Sequence, residues 1–483
     1  MIPIFIARVI QVAVSVAMMR VMTTLLSPAE VGAVALALSV SVMFNLALIN
    51  PVWMYMLRRV HEWQRVGSLF TKVLGVFTWY ALGVSILVPA VLWGVKSLGL
   101  WVDGHGVAAI AAISIHFLSV SAATTFPLII NTLGQMSVAA YLNGGMALAS
   151  LVGCVLVVKL WGATMSGWLL GLSFGYSITA LAGGFYFYKA FTAKSHPILP
   201  GLSESDDLKR CFRFAFPLAI SVLFYWMQLY GYRFIFAGKL GTFRLGIFFA
   251  GYGLGAAVVN TVETILIQYF QPIFYKRISV SSPAEMPAAW EEYSSKVIPP
   301  LLLCVAFTAG AAPFLAKVLL SDKFQTAAIF AVWGAAVEAL RAIFAVFSLS
   351  SHAKNETRPL IYANGVAAFV ALGLSMFLIP VFGEVGAGVS LLVSFFFAIA
   401  VLYLITGGRE HMCIRGKLVY ESVVASGVML VFSAFLQFMV SHDSSLVSAV
   451  VVVGVLSLVL VISIGILSRI GPGHRTLWGW GCQ

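Results

Sequence analysis

From residue 2 to residue 468 the chain is a succession of apolar stretches, broken only by short polar connections. A helix needs about 20 mostly apolar residues to cross a bilayer, and only helices or closed barrels satisfy their backbone there. Fourteen stretches reach that length: 2–25, 31–56, 73–95, 106–131, 136–158, 164–188, 212–237, 245–272, 294–318, 326–350, 359–380, 385–406, 420–439 and 446–468. The fourth and fifth are divided only by the turn-forming run Asn131-Thr132-Leu133-Gly134-Gln135, so twelve or thirteen spans also fit. Composition excludes a soluble globule. The chain is 61% hydrophobic and only 10% charged, against about 25% charged residues in an ordinary soluble domain. The expected fold class is therefore an all-α polytopic membrane protein of about fourteen transmembrane helices.

The net charge of +12 is a topology signal rather than a nucleic-acid footprint. The basic residues fall in short clusters between spans, and no zinc spacing, RNA-binding aromatic pair or helix-turn-helix pattern accompanies them. With the N-terminus in the cytoplasm, nineteen of the 29 Lys and Arg lie in or beside inner connections and six beside outer ones. That is the positive-inside bias, and it places both termini in the cytoplasm. The five cysteines, Cys154, Cys211, Cys304, Cys413 and Cys482, form no CxxC and indicate neither a disulfide framework nor a metal site. The first 25 residues carry Arg8 and Arg20 within the apolar run and lack a cleavage signature, so they read as a retained span.

The 189–211 connection separates six spans from eight. The expected division is an N-terminal lobe (1–188), a cytoplasmic linker (189–211), a C-terminal lobe (212–406) and two added spans with a tail (407–483). Two echoes link the halves. Arg20, the Ser27-Pro28 hinge and Gly32 match Arg233, a short hinge and Gly246. Trp161-Gly162 with Gly167 matches Phe382-Gly383 with Gly386 and Gly388. Duplication of a six-span unit accounts for both and gives pseudo-symmetric six-helix lobes related by an axis along the membrane normal.

Charges inside spans are costly and usually face protein or water. Four arginines sit there (Arg8, Arg20, Arg233, Arg341) and two acids (Glu263, Glu338). That balance of about +2 favours an anion in any cavity they line. Arg8, Gln11 and Ser15 form a polar stripe at helical spacing, although Arg8 lies near enough to the inner end to snorkel to headgroups. Arg20 and Arg233 lie near outer ends, as interface anchors or as a gate. Glu338 and Arg341 are three apart and meet on one face, either as a neutralised packing pair or as a carboxylate that orients a phosphate-binding arginine. Glu263 is the more isolated acid, with Asn260 on its face, and reads as a packing group or an ion-coupling site. Gln228 and Tyr232 add polar points to the seventh span. No P-loop, HExxH, carboxylate pair or nucleophile elbow is present. The expectation is a non-enzymatic protein without a cofactor, energised by an H+ or Na+ gradient, by the membrane potential or by a partner.

Three patches carry a family resemblance. Arg20 with Leu25-Leu26-Ser27-Pro28-Ala29-Glu30-Val31-Gly32 is similar to an R-x-L-S-P-x-x-F-G opening, with Val31 where an aromatic is usual. Phe214-Ala215-Phe216-Pro217-Leu218 precedes Arg233 and Gly246, with Tyr232 where an Asp is frequent. Leu378-Ile379-Pro380-Val381-Phe382-Gly383 with Gly386-Ala387-Gly388 is similar to L-I-P-x-x-G-x-x-G-A. In these the chain resembles the polysaccharide-exporter branch of the multidrug/oligosaccharidyl-lipid/polysaccharide flippase superfamily. The resemblance implies two six-helix lobes around a central cavity in a bacterial inner membrane. It implies carriage of an undecaprenyl-diphosphate-linked oligosaccharide to the outer leaflet, beside a glycan polymerase and glycosyltransferases. On that reading Arg8 and Arg341 receive the anionic headgroup, while Arg20 and Arg233 guide its exit or stabilise closure. Alternatives are a cation-coupled multidrug antiporter, a small-anion transporter, a peptidoglycan-precursor flippase and a non-transporting scaffold.

Overall fold

The computed structural model describes residues 2–97, 106–191, 204–278, 285–353, 358–406, 416–440 and 445–470. Their regular elements are helical: α1 (Ile2–Leu25), α2 (Pro28–Phe44), α3 (Asn50–Arg65), α4 (Leu69–Ser97), α5 (Gly106–Thr132), α6 (Met136–Trp161), α7 (Met165–Phe191), α8 (Glu204–Tyr230), α9 (Tyr232–Ile278), α10 (Met286–Leu319), α11 (Ala328–Ala353), α12 (Arg358–Ile405), α13 (Gly416–Val440) and α14 (Leu446–Ile470). A π-turn, Asn45–Ile49, joins α2 to α3, and a 3-10 turn, Asp322–Ala327, leads into α11.

Eleven stretches among the described residues are long and apolar enough to cross a membrane. Two are double length. Arg358–Ile405 has 48 residues and Ala219–Ile278 has 60; at about 1.5 Å per residue each exceeds twice the thickness of a hydrocarbon core. Each leaves helical geometry at a glycine in the left-handed region, Gly383 (φ 59) and Gly241 (φ 83), where an L side chain would be strained. With two crossings for each of these stretches, the described residues hold 13 such crossings. Helix α1 carries a shorter apolar run, Ala13–Leu25. The tight turn expected at 131–135 is present: α5 stops at Thr132, Gly134 takes φ 86 and α6 starts at Met136.

Chain contacts define two compact units, Met1–Gly246 and Ile247–Gln483. In the first, α7 packs on α5 and α6, α1 packs on α6, and α2 packs on α5 and α7. Helix α8 lies against α3 and the π-turn. The start of α2 is locally encoded. Ser27 caps it by accepting a hydrogen bond from the Glu30 N–H at 3.3 Å, and Pro28 occupies the first turn, a favoured pairing of cap and proline. The Glu30 carboxylate in turn accepts from the Met165 N–H at the start of α7, where a helix end favours negative charge.

In the second unit α10 packs on α11, α13 and α14, and α11 packs on α12. Gln437 Nε2 donates to the Gly310 carbonyl at 2.9 Å, and a Cβ on Gly310 would lie 2.2 Å from Ser433 Oγ. Helix α13 is thereby keyed to α10. Lipid gives no hydrophobic drive for helices to associate, so close approach at small residues carries the packing.

These approaches set a test. A Cβ on Gly255 would lie 1.8 Å from the Ala331 carbonyl oxygen, whereas one on Gly373 would meet nothing within 4 Å. Overpacking costs about 1–3 kcal/mol and more when backbone must move. Gly255→Val should lower the unfolding midpoint of the purified protein in detergent by several degrees, and Gly373→Val should leave it within about a degree, as read by differential scanning fluorimetry.

Candidate functional site

The close crossing of α9 and α11 brings the intramembrane charges of the second unit together. Gly251 and Gly255 of α9 face Ala327 and Ala331, and Gly334 of α11 faces the Tyr252 carbonyl, where a Cβ would lie only 1.9 Å away. Two turns further along each helix stand Glu263 and Arg341. With the backbones this close, side chains on the two facing stripes must meet. The Arg341 guanidinium donates from Nη2 to Glu263 and from Nε to Glu338, and a second contact from Nη2 reaches Asn260 Oδ1 at 3.2 Å. Glu263 and Glu338 are buried, and the Arg341 side chain is 17% exposed.

The structure thus brings together four residues singled out in the sequence: Asn260, Glu263, Glu338 and Arg341. Glu338 and Arg341 meet as their spacing predicts. The reading of Glu263 as the more isolated acid is corrected, because it shares the guanidinium of Arg341 across the helix pair. With both carboxylates ionised these three charged groups sum to −1, so the positive balance of about +2 summed over all spans is not carried at this cluster. A planar guanidinium with five donors holds two carboxylates in a way that a lysine cannot.

A second constellation lies in the first unit. Arg233, at the start of α9, is only 8% exposed. Its Nη1 donates to Ser39 Oγ at 3.0 Å and to the Ala35 carbonyl at 3.3 Å, and its guanidinium lies 4.9 Å from the Tyr230 ring centre and 5.9 Å from that of Tyr232. Trp226 Nε1 donates to the Ser39 carbonyl at 2.8 Å. Tyr232 and Gln228 are also fully buried. Arg233 is thus buried in a grip on α2. Two facing glycines permit it: a Cβ on Gly32 would lie 1.9 Å from the Thr242 carbonyl oxygen, and one on Gly246 would lie 1.8 Å from that of Pro28. The hinge and glycine of each half of the first sequence echo pack against those of the other.

Arg20 is half-buried, and its carbonyl accepts hydrogen bonds from the Thr23 and Thr24 hydroxyls. Gln11 is half-buried, with Ser15 Oγ donating to its carbonyl at 2.8 Å. The Arg8 side chain falls outside the described residues. Glu30, noted in the sequence only as part of a motif, proves to tie α2 to α7; the Ser-Pro-x-Glu order was its one visible signal. Among the described residues no group of three His, Cys, Asp or Glu is placed to hold a metal.

No protein-family model matches the chain, and no curated protein matches it by sequence. Solved structures do match. The lipid II flippase MurJ in an inward closed conformation superposes with a TM-score of 0.61 at 12% identity over 97% of each chain. A multidrug resistance MATE family transporter of the MOP superfamily matches in its inward-facing conformation with a TM-score of 0.59 at 14% identity, over 83% of this chain and 94% of that one. An outward-facing MATE structure gives 0.51 at 12% identity. At such identities the shared property is the fold: a many-helix membrane architecture common to flippases and drug transporters.

The Arg341 cluster predicts strong non-additivity. Removing one member of a buried ion pair costs about 3–5 kcal/mol, since the partner charge is stranded, and groups in one network couple by about 0.5–3 kcal/mol. Arg341→Met should destabilise the protein strongly. Adding Glu263→Gln and Glu338→Gln to Arg341→Met should recover much of the loss in thermal denaturation, whereas independent effects would simply sum.

Proposed function

We propose that the chain is an alternating-access carrier that flips a lipid-linked, anionic saccharide across the membrane, and that it is not an enzyme. The observation that carries this reading is a half-buried arginine held between two buried carboxylates within an apolar helix pair, in a fold shared with a lipid flippase over 97% of both chains. Charges are kept inside a membrane at a cost, and their usual use is a cargo or ion pathway.

The chemistry follows from charge counting. Arg341 is occupied while both Glu263 and Glu338 are ionised. The Tyr293 hydroxyl of α10 is the further titratable group near enough to feel the Glu263 charge. A proton, or a monovalent cation, taken by one carboxylate leaves the cluster neutral and frees donors of Arg341 for a diphosphate. The headgroup and the neutralising cation then bind together; outward movement of the pair runs against an inward cation gradient, so the membrane potential, negative inside, supplies the energy by acting on the headgroup's remaining negative charge. Arg8 and Gln11 on α1 assist the headgroup from the cytoplasmic side. Arg20, the buried Arg233 with Tyr232, and Gln228 act in closing the outer side. The substrate is an undecaprenyl-diphosphate-linked oligosaccharide on the strength of the sequence resemblance, with a peptidoglycan precursor as the alternative lipid-linked cargo. The protein sits in a bacterial inner membrane with both termini in the cytoplasm, beside a glycan polymerase and glycosyltransferases.

A second reading is a cation-coupled multidrug antiporter. It is favoured by the excess of one carboxylate over arginine at the cluster and by the nearly equal fold match to a MATE transporter.

Reconstituted vesicles separate the two. With a fluorescent undecaprenyl-diphosphate oligosaccharide in the inner leaflet, Arg341→Ala and Arg8→Ala should each reduce flipping tenfold or more. Wild-type headgroup binding should strengthen as pH falls, and Glu263→Gln, a mimic of the protonated acid, should flatten that dependence. Full flipping by both arginine variants would sink the assignment. Proton-driven uptake of a cationic dye, without lipid flipping, would establish the antiporter instead.

A further inference from the structure

Helices α6 and α7 are pressed together along one half and splay along the other. In the tight half, a Cβ on Gly175 would lie 2.2 Å from the Ser150 nitrogen, and one on Gly171 would lie 2.5 Å from the Cys154 Cα. In the other half α7 leans on α5 instead, where a Cβ on Gly183 would lie 2.9 Å from Phe126 Cβ. Between the start of α6 and the end of α7 this leaves a groove with a cavity volume of about 880 Å³. Its walls include Tyr141, Gly145, Ile178 and Ala182, and Tyr186 and Lys189 stand at its end. The size lies within the range of about 300–1,000 Å³ typical of ligand sites.

The groove constrains what fills it. Its walls are mostly apolar, so water has too few polar partners to settle there. An empty gap would forfeit dispersion contacts along two helices. Tyr141 and Ile178 are exposed, so the groove is open at its side, which in a bilayer faces hydrocarbon chains. Among the described residues Tyr141, Tyr186 and Lys189 have no hydrogen-bond or ion-pair partner. A lysine ammonium with the Tyr186 phenol at one end of a mostly apolar slot is complementary to an amphiphile with an anionic head. The distribution of basic residues puts this end at the cytoplasmic face.

We propose that the α6–α7 groove is a specific site for an anionic phospholipid of the cytoplasmic leaflet. One acyl chain lies between the splayed halves of α6 and α7. The headgroup phosphate lies against the Lys189 ammonium, with the Tyr186 hydroxyl as a second donor. The site is independent of the identity of the transported cargo and is built from helices of the first unit alone.

The test is lipid retention by the purified full-length protein, read by native mass spectrometry during titration with palmitoyl-oleoyl phosphatidylglycerol. Wild type should retain one molecule saturably and hold it more tightly than phosphatidylcholine with the same chains. Lys189→Glu should weaken retention at least about fivefold, the effect of one basic residue at an anionic surface. Gly145→Trp should displace the lipid by filling the groove; a Cβ at Gly145 meets nothing within 4 Å, so the fold tolerates the start of that side chain. Ala182→Trp serves the same purpose from α7. Lys159→Glu, at the opposite end of α6, should bind as wild type does. Equal retention of the two lipids, or wild-type binding by Lys189→Glu and both tryptophan variants, would overturn the site. Displacement by inorganic phosphate alone would also overturn it, because that would make it an anion site without a chain.

Discussion

Backbone-to-backbone contact at glycine is the constraint on which the rest of this architecture depends. In water, helices are driven together by burying apolar faces; in lipid that drive is absent, and association rests on how closely two backbones can approach. The crossings of α2 with the start of α9, of α6 with α7 and of α9 with α11 are all of this kind. Each of them positions a chemical group. The first permits Arg233 to reach Ser39, the third delivers Glu263 to Arg341, and the divergence beyond the second opens a groove. Packing and chemistry are here one set of residues viewed at different distances along the same helices.

The electrostatic arrangement follows from that geometry. A carboxylate alone in hydrocarbon is costly, and a nearby guanidinium offsets part of the cost by accepting it as a partner. One arginine shared between two acids leaves a residual charge that a mobile cation can cancel. The Arg233 grip brings the guanidinium against a hydroxyl, a carbonyl and two aromatic faces, and it ties the start of α9 to α2.

Much of this was legible from local order along the chain. Apolar length and breaks placed the helices, and the run 131–135 located a reversal that the structure confirms at Gly134. Spacing of three placed Glu338 beside Arg341 and Asn260 beside Glu263. What could not be read was that those two faces meet each other, because 78 residues separate Arg341 from Glu263 and periodicity carries no information on which helices cross. The only signal was indirect: Gly255 and Gly334 lie about two turns before Glu263 and Arg341 respectively. The burial of Arg233 was hidden for the same reason. A position near a span end fits an interface anchor equally well until the partner helix is known. The Glu30 link to Met165 spans 135 residues and was beyond any local rule.

The wide turn at Asn45–Ile49 has a geometric consequence. A π-turn accommodates one more residue than an ordinary helical turn, and each residue of an α-helix advances the azimuth by about 100°. The stretch from Pro28 to Phe44, which packs on α5 and α7, and the stretch from Asn50 to Arg65, which packs on α8, are thus set at different azimuths by a single inserted residue. Loss of any one residue between 45 and 49 would restore an unbroken hydrogen-bond ladder and would look conservative in composition. It would nonetheless swing every side chain of the following sixteen residues about a quarter-turn away from its partner, so the length of this helix is under tighter constraint than its sequence.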